Sequence, residues 1–156
     1  MHRFFVESTA RPGDALVFPA AVARQMVRVL RLGPGARVIA VDAEGWELTV
    51  ELTRADARAV EGRVLAREQR RTEPPVRVVL AQGLPKGDKM DWVVQKCTEV
   101  GVAEILPVAC ARTVARPAGR GEARVERWRR IAREAAEQAG RSAVPEVGRA
   151  SCRERV

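Results

Sequence analysis

The feature that most narrows the fold is a stretch at residues 82–101, held between two short apolar runs at 76–81 and 105–108. Within it Met90, Val93, Val94, Cys97 and Val100 recur at spacings of three and four, the stripe of a half-buried helix. Asp88 stands where an N-cap belongs, and Asp91 three residues later substitutes weakly for the capping-box glutamate. Gly101 is expected at the first position past the helix, where a left-handed backbone costs glycine nothing. Strand, loop, helix and strand in about thirty residues predict a βαβ unit, right-handed by default. Both flanking runs read as buried, parallel-type strands. Gly83, Pro85 and Gly87 either only shape the turn beside solvated lysines or bring Lys86 and Lys89 to an anion.

Upstream, residues 3–6 predict a short strand, Pro12-Gly13-Asp14 a turn, and residues 15–18 a strand pairing back. Pro19 opens a helical stretch, 20–30, in which Val22, Met26, Val29 and Leu30 share a face. Gly33-Pro34-Gly35 breaks it and is a plain turn, since no helix follows to make it a phosphate loop. Strand-like runs follow at 37–42, 47–53 and 60–66. Leu48, Val50 and Leu52 alternate with Glu47, Thr49, Glu51 and Thr53, which gives the second run one wet face. Ala43-Glu44-Gly45 supplies a hairpin turn. Short antiparallel strands with one helix predict a small barrel. Residues 67–75, ending in Pro74-Pro75, read as a linker and place the domain boundary.

Downstream of the βαβ unit, 116–121 is a basic loop and 122–139 the longest helix candidate. Val125, Trp128, Ala132, Ala135 and Ala139 form its stripe, with Arg124, Arg127, Arg130 and Arg133 elsewhere. Those arginines are either a solvated face with pairs such as Glu126–Arg130 or a phosphate contact. Gly140 ends the helix, and 144–147 begins a new strand.

At 156 residues the chain holds one domain or two small ones, and no apolar run approaches the ~20 residues of a membrane span. The N-terminus lacks a signal peptide's apolar core, so a cytoplasmic location is expected. The formal charge is +8, spread as +3 over 1–71, +3 over 72–147 and +2 over the last nine residues. Such an excess favours an anionic partner, although arginine and alanine bias equally marks a GC-rich genome. His2 is the lone histidine, and Cys97, Cys110 and Cys152 lack paired spacing. A usual zinc site and a histidine-dependent triad are thereby disfavoured, no metal is expected, and the thiols are expected reduced.

Four segments carry a resemblance: Gln82-Gly-Leu-Pro-Lys-Gly-Asp-Lys-Met, Gln95-Lys-Cys-Thr-Glu-Val-Gly-Val, Ala111-Arg-Thr-Val, and the run from Trp128-Arg-Arg-Ile to Val144-Pro-Glu-Val. Together with Arg3-Phe-Phe-Val and Val29-Leu-Arg-Leu before Gly-Pro-Gly, they resemble the ribosomal RNA small subunit methyltransferase E family from residue 3 to about 147. The resemblance implies an α+β protein of two domains. Residues 1–71 would be a PUA-like, RNA-binding β-barrel, and 72–147 the first part of a SPOUT methyltransferase domain, an α/β layer with a trefoil knot. It implies S-adenosylmethionine-dependent methylation of N3 of a uridine in 16S rRNA, by a homodimer acting on the small ribosomal subunit. The family's cofactor loops in the knot find no match here, so no cofactor-binding residue is assigned. Residues 148–156 do not match the family and read like a translated sequencing adapter. They are expected to be an artefactual tail on a fragment that is inactive alone.

N3 of uracil must lose a proton as the methyl group arrives, so fixed cations that favour the imidate anion suit the site. The resemblance makes Arg112, past a strand end, and Arg141, past a helix end, the substrate-side candidates. Glu137 and Gln138 would orient the base or pack a dimer face, while Lys96 and Glu99 pair with each other. Arg28, Arg31, Lys86 and Lys89 are the candidates for RNA phosphates. The alternative is a non-catalytic RNA-binding module working through the barrel. Residues 72–147 alone are expected to aggregate or stay partly unfolded, because missing strands leave an apolar sheet edge.

Overall fold

The period-two pattern that begins at Glu47 becomes a nine-residue strand, with Leu48, Val50 and Leu52 all sealed from solvent. It is the spine of the first of two units, Met1–Arg71 and Thr72–Val156, in a computed structural model that describes residues 1–56, 58–70, 72–109 and 121–148. The architecture is α+β, with one mixed sheet and one parallel sheet.

In the first unit the elements are β1 (Arg3–Phe5), β2 (Ala15–Val17), α1 (Ala20–Arg24), a π-helical turn (Gln25–Val29), β3 (Arg37–Val41), β4 (Glu47–Ala55) and β5 (Val60–Glu68). The sheet order is β1-β3-β4-β5-β2. β3, β4 and β5 form an antiparallel meander, but β1 joins β3 in parallel. The expectation that residues 15–18 pair back on 3–6 is therefore corrected. β2 pairs with β5 at the other end of the order, and Gly13 N and Phe18 N extend that ladder to Val64 O and Val60 O. Phe4 and Phe18 nevertheless meet edge to face in the core, 6.4 Å apart.

Three further local expectations need correction. Glu47 is buried rather than wet, because Arg3 Nη1 reaches its carboxylate at 2.8 Å. The helix does not stay α-helical to Leu30: Leu30 N bonds Gln25 O at 3.0 Å, a five-residue step. That extra residue turns Val29 out to 71% exposure while Val22 and Met26 remain buried. Arg31 then closes the segment with φ of 54°, unusual for a side chain larger than glycine. The 43–45 hairpin turn does form. Asp42 Oδ1 accepts from the N–H groups of Glu44 and Trp46, Gly45 supplies positive φ, and Arg67 stacks on the Trp46 ring at 4.3 Å.

The second unit comprises β6 (Val79–Gly83), α2 (Lys89–Glu99), β7 (Glu104–Val108), α3 (Gly121–Ala139) and β8 (Glu146–Val147). Its strands run parallel in the order β6-β7-β8. Strand β6 starts at Val79 instead of Val76; Val76 and Val78 are exposed. On α2 the stripe is Met90, Val94 and Thr98, with Val93 and Cys97 at its margin and Val100 out in solvent. Thr98 tolerates full burial because its hydroxyl donates to Val94 O at 2.8 Å.

Asp88 occupies the N-cap without a side-chain cap bond, and Asp91 turns to α3 instead of closing a capping box. At the other end Val102 N bonds Cys97 O and Gly101 N bonds Thr98 O, a Schellman closure with Gly101 at φ of 94°. The same pair of bonds ends α3, at Gly140 and Arg141. On α3 Val125, Trp128, Ala132, Ala135 and Ala136 are buried and Ala139 is exposed. Glu126 pairs with Arg129 rather than Arg130, since the three-residue step suits the shorter reach. The core of this unit gathers Met90, Val94, Ile105, Val125, Trp128, Ala132 and Val147.

Candidate functional site

The division between the two units falls within 67–75, but described residues at both ends of that stretch are held in structure. β5 continues through Glu68, and Glu73 is fixed by the second unit's own chain. Its carboxylate accepts from Arg141 Nε and Nη2, from Ser142 N at 3.0 Å and from Ala143 N at 3.1 Å. Arg141 is almost wholly buried, and its Nη1 donates to Thr98 O at 3.1 Å and Val102 O at 2.8 Å. One guanidinium thus satisfies two carbonyls at the end of α2 and grips the start of the unit. Burial pushes the Glu73 carboxyl up, but Arg141 and the two backbone N–H groups together outweigh it and leave the carboxyl below its ordinary value. Pro74, next along, packs where a Cβ on Gly101 would sit, 2.4 Å away.

Arg141, expected to face substrate, is therefore engaged by its own chain in this conformation. Arg112 lies outside the described residues, as do the 116–120 loop, Cys110, Cys152 and residues 149–156. Arg28 and Arg31 are exposed on the first unit, at the π-helical turn and just past it. Lys86 and Lys89 are exposed at the entry to α2 in the second. Lys96 and Glu99 pair as expected, Nζ to Oε2 at 2.8 Å. Glu137 is half-buried, and Gln138 lines a hollow between α2 and α3.

That hollow, about 290 Å³, also holds Asp91, Trp92, Gln95, Ile131, Glu134 and Ala135. Asp91 ties the two helices together: its carboxylate accepts from Trp128 Nε1 at 3.1 Å and pairs with Arg127. Trp92 falls opposite the Met90–Val94 stripe, a position that the helical period alone marks as unusual for an indole. A second hollow of about 450 Å³ lies beside β8, lined by Glu104, Arg129, Arg133, Val144 and residues 145–148. Cys97 is a free thiol whose pKa is pushed up by burial, which does not favour a nucleophile. Among the described residues no cluster suits a metal ion, and no helix is long and apolar enough to cross a membrane.

A family model for the RNA methyltransferase domain matches residues 72–155. The chain is 34% identical over 151 residues to the ribosomal RNA small subunit methyltransferase E of Bacillus subtilis (strain 168), covering 94% of this chain and 59% of that protein. Among solved structures it is similar to a ribosomal RNA small subunit methyltransferase E from Neisseria gonorrhoeae bound to S-adenosyl methionine, with a TM-score of 0.89 and 31% identity. That match covers 97% of this chain and 62% of the other. A putative methyltransferase of Legionella pneumophila, in complex with the bound cofactor SAM, gives a TM-score of 0.90 at 27% identity, with 96% and 62% covered. This chain spans 59% of the Bacillus protein's length and 62% of each of the two solved chains.

Proposed function

Because the chain belongs to the RNA methyltransferase domain family, in the ribosomal RNA small subunit methyltransferase E group, we propose that it serves S-adenosylmethionine-dependent methylation of N3 of a uridine in 16S rRNA. The observation that carries this is the 0.89 TM-score over 97% of the chain, at 31% identity, to a family member bound to that cofactor. In this reading the first unit is a PUA-like RNA-binding domain, supported by its five-stranded mixed sheet. The second is part of a SPOUT-type fold, supported by its parallel sheet with flanking helices. The working protein is a cytoplasmic homodimer on the small subunit.

Neither of the two hollows fits the cofactor. Both hollows open widely to solvent, and beside the larger the N–H groups of Glu146 and Gly148 are engaged by Ala103 O and Ile105 O. Neither could desolvate a sulfonium and its methyl group. We assign the cofactor pocket to residues outside these hollows and expect the chain as given to be inactive alone. What this chain contributes is substrate handling. Arg28 and Arg31 on one unit, and Lys86 and Lys89 on the other, hold phosphates and set the register of the RNA. Arg112 favours the imidate that forms as uracil loses its N3 proton, since arginine keeps its charge at any working pH. Arg141 holds the loop that follows α3, as a positioning residue.

Deleting the encoding gene and digesting the 16S rRNA for mass spectrometry tests the first reading. N3-methyluridine is expected to disappear and to return with the gene; its persistence would reject the assignment. For the docking surface, Arg31→Gln is expected to weaken 16S rRNA binding and flatten the salt dependence by roughly one unit of log–log slope. Filter binding across a salt series reads this directly, and an unchanged slope removes Arg31 from the contact.

A further inference from the structure

We infer that the hollow between α2 and α3 takes one unpaired nucleobase of a single-stranded RNA segment, stacked on Trp92. The inference rests on the RNA-directed reading above and adds a site to it. Trp92 is 64% exposed, whereas Trp128, the other tryptophan of this unit, is 5% exposed and bonded to Asp91. An indole left on the polar side of a helix forfeits burial that the same ring obtains elsewhere in the unit.

Its surroundings suit a base better than an apolar partner. Gln95 and Gln138, two primary amides that can both donate and accept, line the hollow with Ile131. Asp91 is neutralised by Arg127, and the Glu134 carboxylate can accept from an amino or imino N–H of the base. The volume, about 290 Å³, is near ten water volumes at roughly 30 Å³ each, room for a planar ring system and some solvent. All three lysines of the chain, Lys86, Lys89 and Lys96, lie on α2 or the loop before it. Lys89 and Lys96, the latter paired with Glu99, stand three residues before and four after Trp92, on its side of the helix, so Lys86 and Lys89 are the lysines left for phosphate. A cationic track beside an exposed aromatic ring is the arrangement that holds single strands by phosphate contact and stacking. A second copy of this chain is the competing occupant, but it would have to bury two carboxylates and two amides along with the indole.

The test uses the full chain with a ten-nucleotide oligouridylate and a blunt RNA duplex as probes, read by fluorescence anisotropy over a salt series. Trp92→Ala is expected to weaken oligouridylate binding about tenfold or more, with the salt slope unchanged, because a stacked base and no phosphate contact is lost. Trp92→Phe is expected to recover most of the affinity, and duplex binding to stay the same for all three proteins. Equal oligouridylate affinity for wild type and Trp92→Ala would overturn the inference while leaving the broader reading intact. Loss of affinity accompanied by a change in sedimentation would overturn it in favour of a self-association face. Failure of the wild-type chain to bind either RNA would reject the RNA-directed reading itself.

Discussion

Arg141→Ala is expected to destabilise the second unit by about 3 kcal/mol, near the low end for removing one partner of a buried ion pair, because Glu73 keeps some access to water. The loss is not one contact. Glu73 would lose its guanidinium, and Thr98 O and Val102 O would lose their donor in a place shielded from solvent. Arg141→Lys should recover only part, since an ammonium cannot span Glu73 and both carbonyls as a planar fork does. Urea unfolding of the full chain, followed by hydrogen exchange in α2 and β7, measures the effect where it arises. Arg129→Ala, which breaks an exposed pair with Glu126, is the control and should cost under ~0.5 kcal/mol. A cost for Arg141→Ala as small as the control's would mean that the clamp is incidental.

The same clamp makes a signed acid prediction. Glu73 has a folded pKa below its ordinary value, so the unfolded chain binds more protons there than the folded one. Its contribution is present above the unfolded glutamate value, about 4.3, and fades as pH falls through the lower folded value. Wild type should therefore lose stability more steeply than Glu73→Gln as pH falls below about 5.

Gly62→Ala should be the most damaging single-methyl addition in the first unit, at about 2–3 kcal/mol. Gly62 lies in β5 between β4 and β2, opposite Leu52 on one side and Leu16 on the other. A Cβ there would stand 2.4 Å from Val50 Cγ1 and 2.8 Å from Glu51 O. The first neighbour is a fully buried side chain and the second is backbone, so neither can withdraw cheaply. For a unit of about seventy residues this amounts to a fall of roughly 10–20 °C in Tm. Adding Val50→Ala should relieve one clash and leave the other, so the double variant should recover only in part. A Gly62→Ala protein within 2 °C of wild type would show that the strands can part at the bulge beside it.

Much of this fold was legible because its signals are local. The alternation of Leu48, Val50 and Leu52, the Asp42–Trp46 turn and the two glycine helix ends depend on residues a few positions apart. Val29 was misplaced because a helical period assumes uniform winding, and one five-residue step at Gln25–Val29 rotates everything after it. Glu73 was hidden more deeply. Its sequence neighbours say linker, and the residue that gives it meaning is 68 positions away. The site was less legible still: the resemblance makes Arg141 a substrate-side candidate, and nothing local could show that its charge turns inward.

The strand pairing of the first unit also sets an order of events during synthesis. Leu16 must wait for Gly62, 46 positions further along the chain, before β2 has a neighbour. At 5–20 residues per second a ribosome needs roughly two to nine seconds to supply that partner. The β3-β4-β5 meander joins sequence neighbours and can zip within microseconds of emerging. Throughout that interval the nascent β2 carries Leu16, and the segment after it Phe18, without the sheet that will cover them. The second strand to leave the ribosome is thus the last of its unit's sheet to gain a neighbour, and it is there that a holdase would have most to protect.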